Sequence, residues 1–273
     1  MQAPLSNRRW WVRAAPNGYD AMVLRAITLI RSSFPHQPVF DTAVSHALLR
    51  GAGGGQVGET LRVSIPARMV AFGRQDVASD GYREAAVAAR QRGFAAIERL
   101  AGGRAAVFHP GTISFSWTVP DLEPRAGITT RFKEIADVVA ASLERLGLDA
   151  RIGEVPGEYC PGAYSVNARQ RHKIMGVGQR VISGAAHVGG VIVVNDASSI
   201  RDVLIPVYDE LGVPWDPNTV GSIEAELGAP RDIEKVADTF IAEFADRFAL
   251  EEGLLDDATL AEAESLAPGH ASP

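Results

Sequence analysis

Cys160 is the only cysteine in the 273-residue chain, and it stands directly before Pro161. Lys173 follows it, opening the alternating apolar-glycine run KIMGVGQRVISG. A thiol and a primary amine brought together by a folded-back pair of strands make an activated nucleophile, because a nearby cation lowers a cysteine pKa from its free value of about 8.5. Proline disfavours the helical region for the residue ahead of it, which predicts an extended Cys160 with its thiol at a chain bend. Gly157, Pro161 and Gly162 around it form turns and are not the Leu, Ile and Val that surround a packed thiol. Arg169, Arg171, His172 and Lys173 form a basic cluster downstream. The same residues also read as a small buried hydrophobe followed by a solvated hairpin tip, and local chemistry leaves both readings open.

A second constellation lies in ERLAGGRAAVFHPGTISFSW, residues 98–117. Gly102 and Gly103 allow a backbone to approach a ligand closely, with Arg99 and Arg104 as cations beside it. The plain alternative is a β-turn with exposed arginines. His109 has the chemistry of a general base or metal ligand, but no second histidine sits at ligand spacing, which favours a structural role and no metal. GxSxG, CxxC, HExxH and a helix-opening GxGxxG are all missing from the sequence, and the Gly-Gly segment is not a phosphate loop.

The elements that must carry these residues read as follows. The apolar run 22–30 fits helix or strand. Asp41 is expected to cap a helix with Ala43, Val44, Ala47 and Leu48 on one face and Gly51 at its end. Residues 61–74 read as one strand with a proline bulge or edge, and Ser79 as the cap of a helix reaching Arg92. Strands are predicted at 94–100, 105–108 and 113–119, then an amphipathic helix over 128–146 stopped by Gly147. A strand at 150–155 and a glycine-containing hairpin through 181–196 come next. Helices at 199–211 and 231–248, a short acidic helix and a loose PGHASP tail complete the chain. Strands outside strict β-α-β alternation, with helices before, between and after, give an α+β fold: a mixed or antiparallel sheet covered by helices. Three segments are expected: an extension at 1–35, containing Trp10 and Trp11, a catalytic domain at 36–250, and an acidic helix with tail at 251–273.

The net charge of -6 argues against a nucleic-acid partner. One cysteine rules out an intrachain disulfide and fits a reducing compartment. No run reaches the roughly 18 apolar residues of a membrane span, and the 21–30 segment, broken by Arg25, lacks a cleavage site, so the expected location is cytoplasmic.

Taken together, RLAGGRAAVFHPGTISFS (99–116) and HKIMGVGQRVISGAAHVGGVIVV (172–194) resemble the biotin/lipoate protein ligase and octanoyltransferase superfamily. DTAVSHALL (41–49), VAFGRQD (70–76) and DPNTVGSI (216–223) extend the resemblance over roughly 36–250 in the superfamily's order. Within it, EYCPGAY around Cys160 is similar to the branch that moves octanoyl between lipoyl-domain proteins through a cysteine thioester, with Ser165 where an acidic residue is usual. The resemblance implies a donor in octanoylated glycine cleavage H protein, or alternatively acyl carrier protein, and an acceptor in the lipoyl domain of a 2-oxoacid dehydrogenase. It implies no cofactor. It makes Cys160 the nucleophile and Lys173 the group that lowers its pKa. Arg99, Gly102, Gly103, Arg104 and His109 would line the acyl-carbonyl end of an apolar tunnel, with oxyanion donors near Gly176. Two rival readings are an ATP-dependent lipoate ligase and a non-catalytic protein that binds acyl-lipoyl domains.

Overall fold

The computed structural model describes residues 24–273; Trp10, Trp11 and the start of the apolar run at 22 lie outside them. The rest of that run is strand β1 (Ala26–Ile30), as its β-branched residues favour. Helix α1 (Pro38–Gly53) begins earlier than expected, with proline in its first turn, where a missing N–H costs nothing. Asp41 is therefore inside the helix and does not cap it. Its carboxylate accepts the Phe34 N–H at 2.9 Å and pairs with buried Arg62.

The expected single strand at 61–74 is two strands in different sheets, β2 (Thr60–Ser64) and β3 (Met69–Phe72). Pro66 falls in the break between them, where the chain leaves one sheet for the other. Ser79 does not cap a long helix either. Its hydroxyl donates to the Asp76 carbonyl at 2.6 Å at the end of α2 (Arg74–Val77), and α3 (Tyr82–Gln91) starts after Gly81. Strands β4 (Ala95–Glu98), β5 (Ala106–Phe108) and β6 (Thr112–Pro120) follow. Helix α4 (Ile128–Arg145) ends just before Gly147, whose φ of 95° is the left-handed turn the sequence pointed to.

Then come β7 (Ala150–Ile152), β8 (Val166–Ala168) and the long hairpin of β9 (His172–Ile182) and β10 (Ala185–Val193). Helices α5 (Ala197–Leu211), α6 (Ile223–Leu227) and α7 (Ile233–Ala245) lead to β11 (Ala249–Glu252) and α8 (Asp257–Leu266). The terminal residues are not loose: His270 is buried and Ala271 bridges to Ile97.

The strands make an eight-stranded mixed sheet, in the order β11-β1-β2-β6-β10-β9-β8-β7, and a three-stranded sheet, β4-β3-β5. Strands β11, β1 and β2 run parallel and the remaining pairs of the large sheet are antiparallel. The sheet thus takes in β1, which precedes the 36–250 span, and β11, which runs across its end. Period-two alternation divides β6 between two environments. Ile113, Phe115 and Trp117 pack with Ile135, Phe240 and Phe244 of α4 and α7. Ser114 and Ser116 line a cavity on the side covered by α1 and the small sheet. A second core joins the small sheet to α3 and α5 through Phe72, Tyr82, Val203 and Tyr208. No helix of the described residues is long and apolar enough to cross a membrane.

Candidate active site

Cys160 lies in the loop between β7 and β8, whose ends are tied by the Gly153 N–H donating to the Ser165 carbonyl at 2.8 Å. Its backbone is not extended: φ is +43°. Proline does exclude the right-handed helical region here, but the residue avoids that region by crossing to positive φ, which is strained for a side chain with a Cβ. Contacts on both sides hold the strain. The Cys160 N–H donates to the Tyr208 hydroxyl at 2.9 Å, and that hydroxyl donates in turn to the Ala105 carbonyl at 3.0 Å. The Cys160 carbonyl accepts from Lys173 Nζ at 2.7 Å.

The sulfur faces two donors. Arg99 Nη2 and the Arg104 backbone N–H each lie 3.3 Å from Sγ. Burial pushes the thiol up, but Arg99, then Lys173, and the Arg104 amide outweigh it, so the thiol sits below its ordinary value. The amine of Lys173 does not bind the sulfur directly. Its three N–H groups are matched by Glu158 Oε1 at 2.9 Å, the Tyr159 carbonyl at 3.0 Å and the Cys160 carbonyl at 2.7 Å. Lys173 grips the cysteine backbone and acts on the thiol through its charge, while Arg99 makes the direct contact.

Glu158 organises the loop. Its side chain is fully buried, and besides Lys173 it accepts from the Val155 N–H at 2.9 Å, the Ser165 hydroxyl at 2.7 Å and the Gly162 N–H at 3.3 Å. Ser165, the departure from the superfamily pattern, thus donates to a carboxylate supplied from earlier in the same loop.

Gly103, at φ +104°, sits where a Cβ would lie 2.2 Å from Arg99 Nη2 and 2.9 Å from the Cys160 sulfur. Gly102 has nothing within 4 Å of its Cβ position and takes no such part. The Arg104 side chain turns to Asp76 at 3.3 Å, so its contribution at the thiol is the amide. Gly176 lies under Lys173, where a Cβ would come 3.1 Å from Cε. His109 is not at the site. It is buried at the β5–β6 turn, accepts the Gly111 N–H on Nδ1 at 3.0 Å, and is pushed down to about 4 by burial. The family resemblance implied a place in the tunnel, whereas the reading of the residues favoured a structural role, and its side chain serves the turn after β5.

Behind Cys160 opens a cavity of about 90 Å³, several times the roughly 10–15 Å³ one water needs. Met69, Ala71, Ile97 and Val191 line it together with Arg62, Ser116 and His187. A Cβ at Gly190 would strike Phe115 at 2.3 Å and the Gly176 carbonyl oxygen at 2.5 Å, so glycine in β10 lets the strands close at the cavity wall. The arrangement can do nucleophilic acyl chemistry: a thiol held below its ordinary pKa, polarising donors beside it, and a largely apolar slot behind.

Sequence reasoning missed Glu158, Tyr208, Asp76 and His187. Glu158 stands two residues from Cys160, and an acidic residue that near the lone cysteine was the available signal. Tyr208 carried none, because it reaches the site from a helix far along the chain.

Comparison with known proteins gives consistent matches. The family described as lipoyl protein ligase A/B catalytic domain matches residues 37–245. An octanoyl-GcvH:protein N-octanoyltransferase of Geobacillus kaustophilus is 30% identical over 213 residues, covering 73% of this chain and 75% of that protein. A lipoyl-GcvH:protein N-lipoyltransferase of Listeria monocytogenes is 27% identical over 62% of each chain. Among solved structures, lipoate-protein ligase A bound with ATP superimposes with a TM-score of 0.70 at 22% identity, over 90% of this chain and 95% of that one. The bi-partite lipoate protein ligase of Thermoplasma acidophilum gives 0.69 at 20% identity, over 89% and 92%. At these identities the structural matches establish the fold: helices on a mixed sheet, as the residues predicted.

Proposed function

Because the chain belongs to the lipoyl protein ligase A/B catalytic-domain family, we propose that it is an acyltransferase moving an octanoyl (or lipoyl) group from glycine cleavage H protein to the lipoyl domain of a 2-oxoacid dehydrogenase. The observation that carries this is the sulfur of Cys160, held between Arg99 and the Arg104 amide at the cavity. An ATP-dependent ligase has no use for that arrangement. A reduced thiol as nucleophile calls for a reducing compartment, which is the cytoplasm on this reading.

In the first half-reaction the Cys160 thiolate attacks the carbonyl carbon of the donor's acyl-lysine. A C–S bond forms, the amide C–N bond breaks, and the departing lysine amine takes up a proton. In the second, the deprotonated acceptor lysine attacks the thioester, forms the new amide with loss of a proton, and returns the thiolate. Arg99 Nη2 and the Arg104 N–H, the donors beside the sulfur, would serve the carbonyl oxygen as it gains charge. Gly176 contributes room for the lysine. The apolar walls take the acyl chain, each methylene contributing up to about 0.8 kcal/mol on leaving water.

Intact mass after mixing with octanoylated H protein tests this, the expected gain on Cys160 being about 126 Da for an acyl-thioester. Cys160→Ala should lose both adduct and transfer. Parallel arms with octanoylated acyl carrier protein and with octanoate plus ATP separate the donors. Normal octanoyl transfer by the Cys160→Ala protein would end the proposal.

A further inference from the structure

Strand β4 is an edge strand of the small sheet, paired on one side with β3. The chain's last residues lie along its other side. Ala271 bridges antiparallel to Ile97, and His270 Nδ1 lies 2.7 Å from the Glu98 carbonyl oxygen. The Tyr82 hydroxyl is 2.8 Å from Ser272 Oγ and 3.0 Å from Glu98 Oε1, and Arg90 donates to the Ser272 carbonyl at 3.0 Å. A carbonyl only accepts, so His270 carries its proton on Nδ1. Its Nε2 lies 3.0 Å from His46 Nδ1, within hydrogen-bond distance. Both nitrogens of a buried ring are thus committed to holding the strap in place.

The residue after Glu98 is Arg99. Its guanidinium donates to the Arg104 carbonyl at 2.7 Å and to the Cys160 sulfur, while its buried Nε has no partner. Among the described residues no carboxylate clamps this side chain, so its aim depends on where the backbone starts it. That start is fixed on one side by the Arg99 N–H donating to the Phe72 carbonyl at 2.9 Å. On the other side it is fixed by the strap at Ile97 and Glu98. A four-residue strand paired along one edge frays at its end, and the end here is the residue that launches Arg99.

We propose that the C-terminal strap, residues 267–272, positions Arg99 through β4 and thereby sets the nucleophilicity of Cys160, with His270 as the positioning residue. The consequence for catalysis rests on Cys160 being the nucleophile of the proposed transfer. The placement of Arg99 against the sulfur does not.

The test is the rate of Cys160 alkylation by iodoacetamide, measured on the full chain from about pH 6 to pH 9. His270→Ala should slow alkylation at neutral pH by about three- to tenfold and move the midpoint of the profile upward. His270→Asn, whose side-chain N–H sits where Nδ1–H sat, should restore most of the rate. A purely structural role for the strap would lower the melting temperature and leave the profile in place. If His270→Ala does not fold, deletion of residues 271–273 removes the Ile97 bridge and the Ser272 contacts while keeping His270, and an upward midpoint is again expected. A profile superimposing on that of the unaltered protein in a folded variant overturns the inference. Because alkylation reads the sulfur without any acyl donor, failure of octanoyl transfer would count against the proposed function and leave this result standing.

Discussion

Replacing Glu158 with glutamine keeps the volume of the side chain and removes its charge from a site where both it and Lys173 are buried. The amide oxygen can still accept one bond from Nζ, but the cation then has no carboxylate in direct contact. Breaking a buried pair by removing one partner costs about 3–5 kcal/mol, because the remaining charge is left uncompensated. The new NH2 group also meets either Lys173 and the Ser165 hydroxyl or the Val155 N–H, donors that now lack an acceptor. At about 2–4 °C per kcal/mol for a chain of this size, the melting temperature should fall by roughly 6–20 °C. Urea denaturation gives the free energy, and thioester accumulation on Cys160 gives the functional loss, since the loop that presents the sulfur is the one Glu158 ties together. Lys173→Met alone should be comparably damaging, and the Glu158→Gln, Lys173→Met double variant should be less unstable than the sum of the two. A Glu158→Gln protein within about 1 kcal/mol of the unaltered one, forming thioester at the same rate, would refute the argument that this pair holds the site.

Gly103→Ala should slow thioester formation by about 10²-fold, because the methyl displaces both Arg99 and the sulfur, whereas Gly102→Ala should behave normally; intact-mass time courses distinguish them. Tyr208→Phe leaves the Cys160 N–H and the Ala105 carbonyl without their partner and should cost about 1–3 kcal/mol in urea melts, with slower acylation. Acid stability is set in part by buried imidazoles: His109 and His187 are each pushed down to about 4 by burial. Unfolding returns them to about 6.5, so the unfolded chain binds more protons between those values, and their contribution to stability must fall as pH drops from 6.5 to 4, then level off. The limit is about 3 kcal/mol per histidine, and His187→Gln should flatten the melting-temperature profile across that window if the protein stays folded at neutral pH.

The large elements were legible because their burial follows a simple period. The stripe Ile135, Val138, Val139 and Leu143 and the stop at Gly147 place α4 almost to the residue, and the β9–β10 hairpin falls where its glycines put it. Errors came where a local cue competed with a tertiary one. Asp41 has the type of a cap, but a buried arginine on a neighbouring strand takes its carboxylate. Residues 61–74 have one continuous apolar pattern, yet serve two sheets. At the site, Cys160 and Lys173 were visible as rare chemistry at suggestive spacing. Their contact was not: the amine meets the cysteine's carbonyl, and the sulfur is left to an arginine and an amide. Such pairings depend on the direction a backbone atom points, and a positive φ before a proline reverses that direction without any mark in composition.

Strand β1 draws one of its two parallel neighbours, β2, from shortly after it, and the other, β11, from residues 249–252. During synthesis it must wait for residues 31–248 to emerge before the strand that covers its second edge is made. Until then an apolar, β-branched ribbon has its hydrogen-bonding groups open to any other nascent chain. A product cut before residue 249 would retain every group placed at the candidate site and leave that edge of β1 bare.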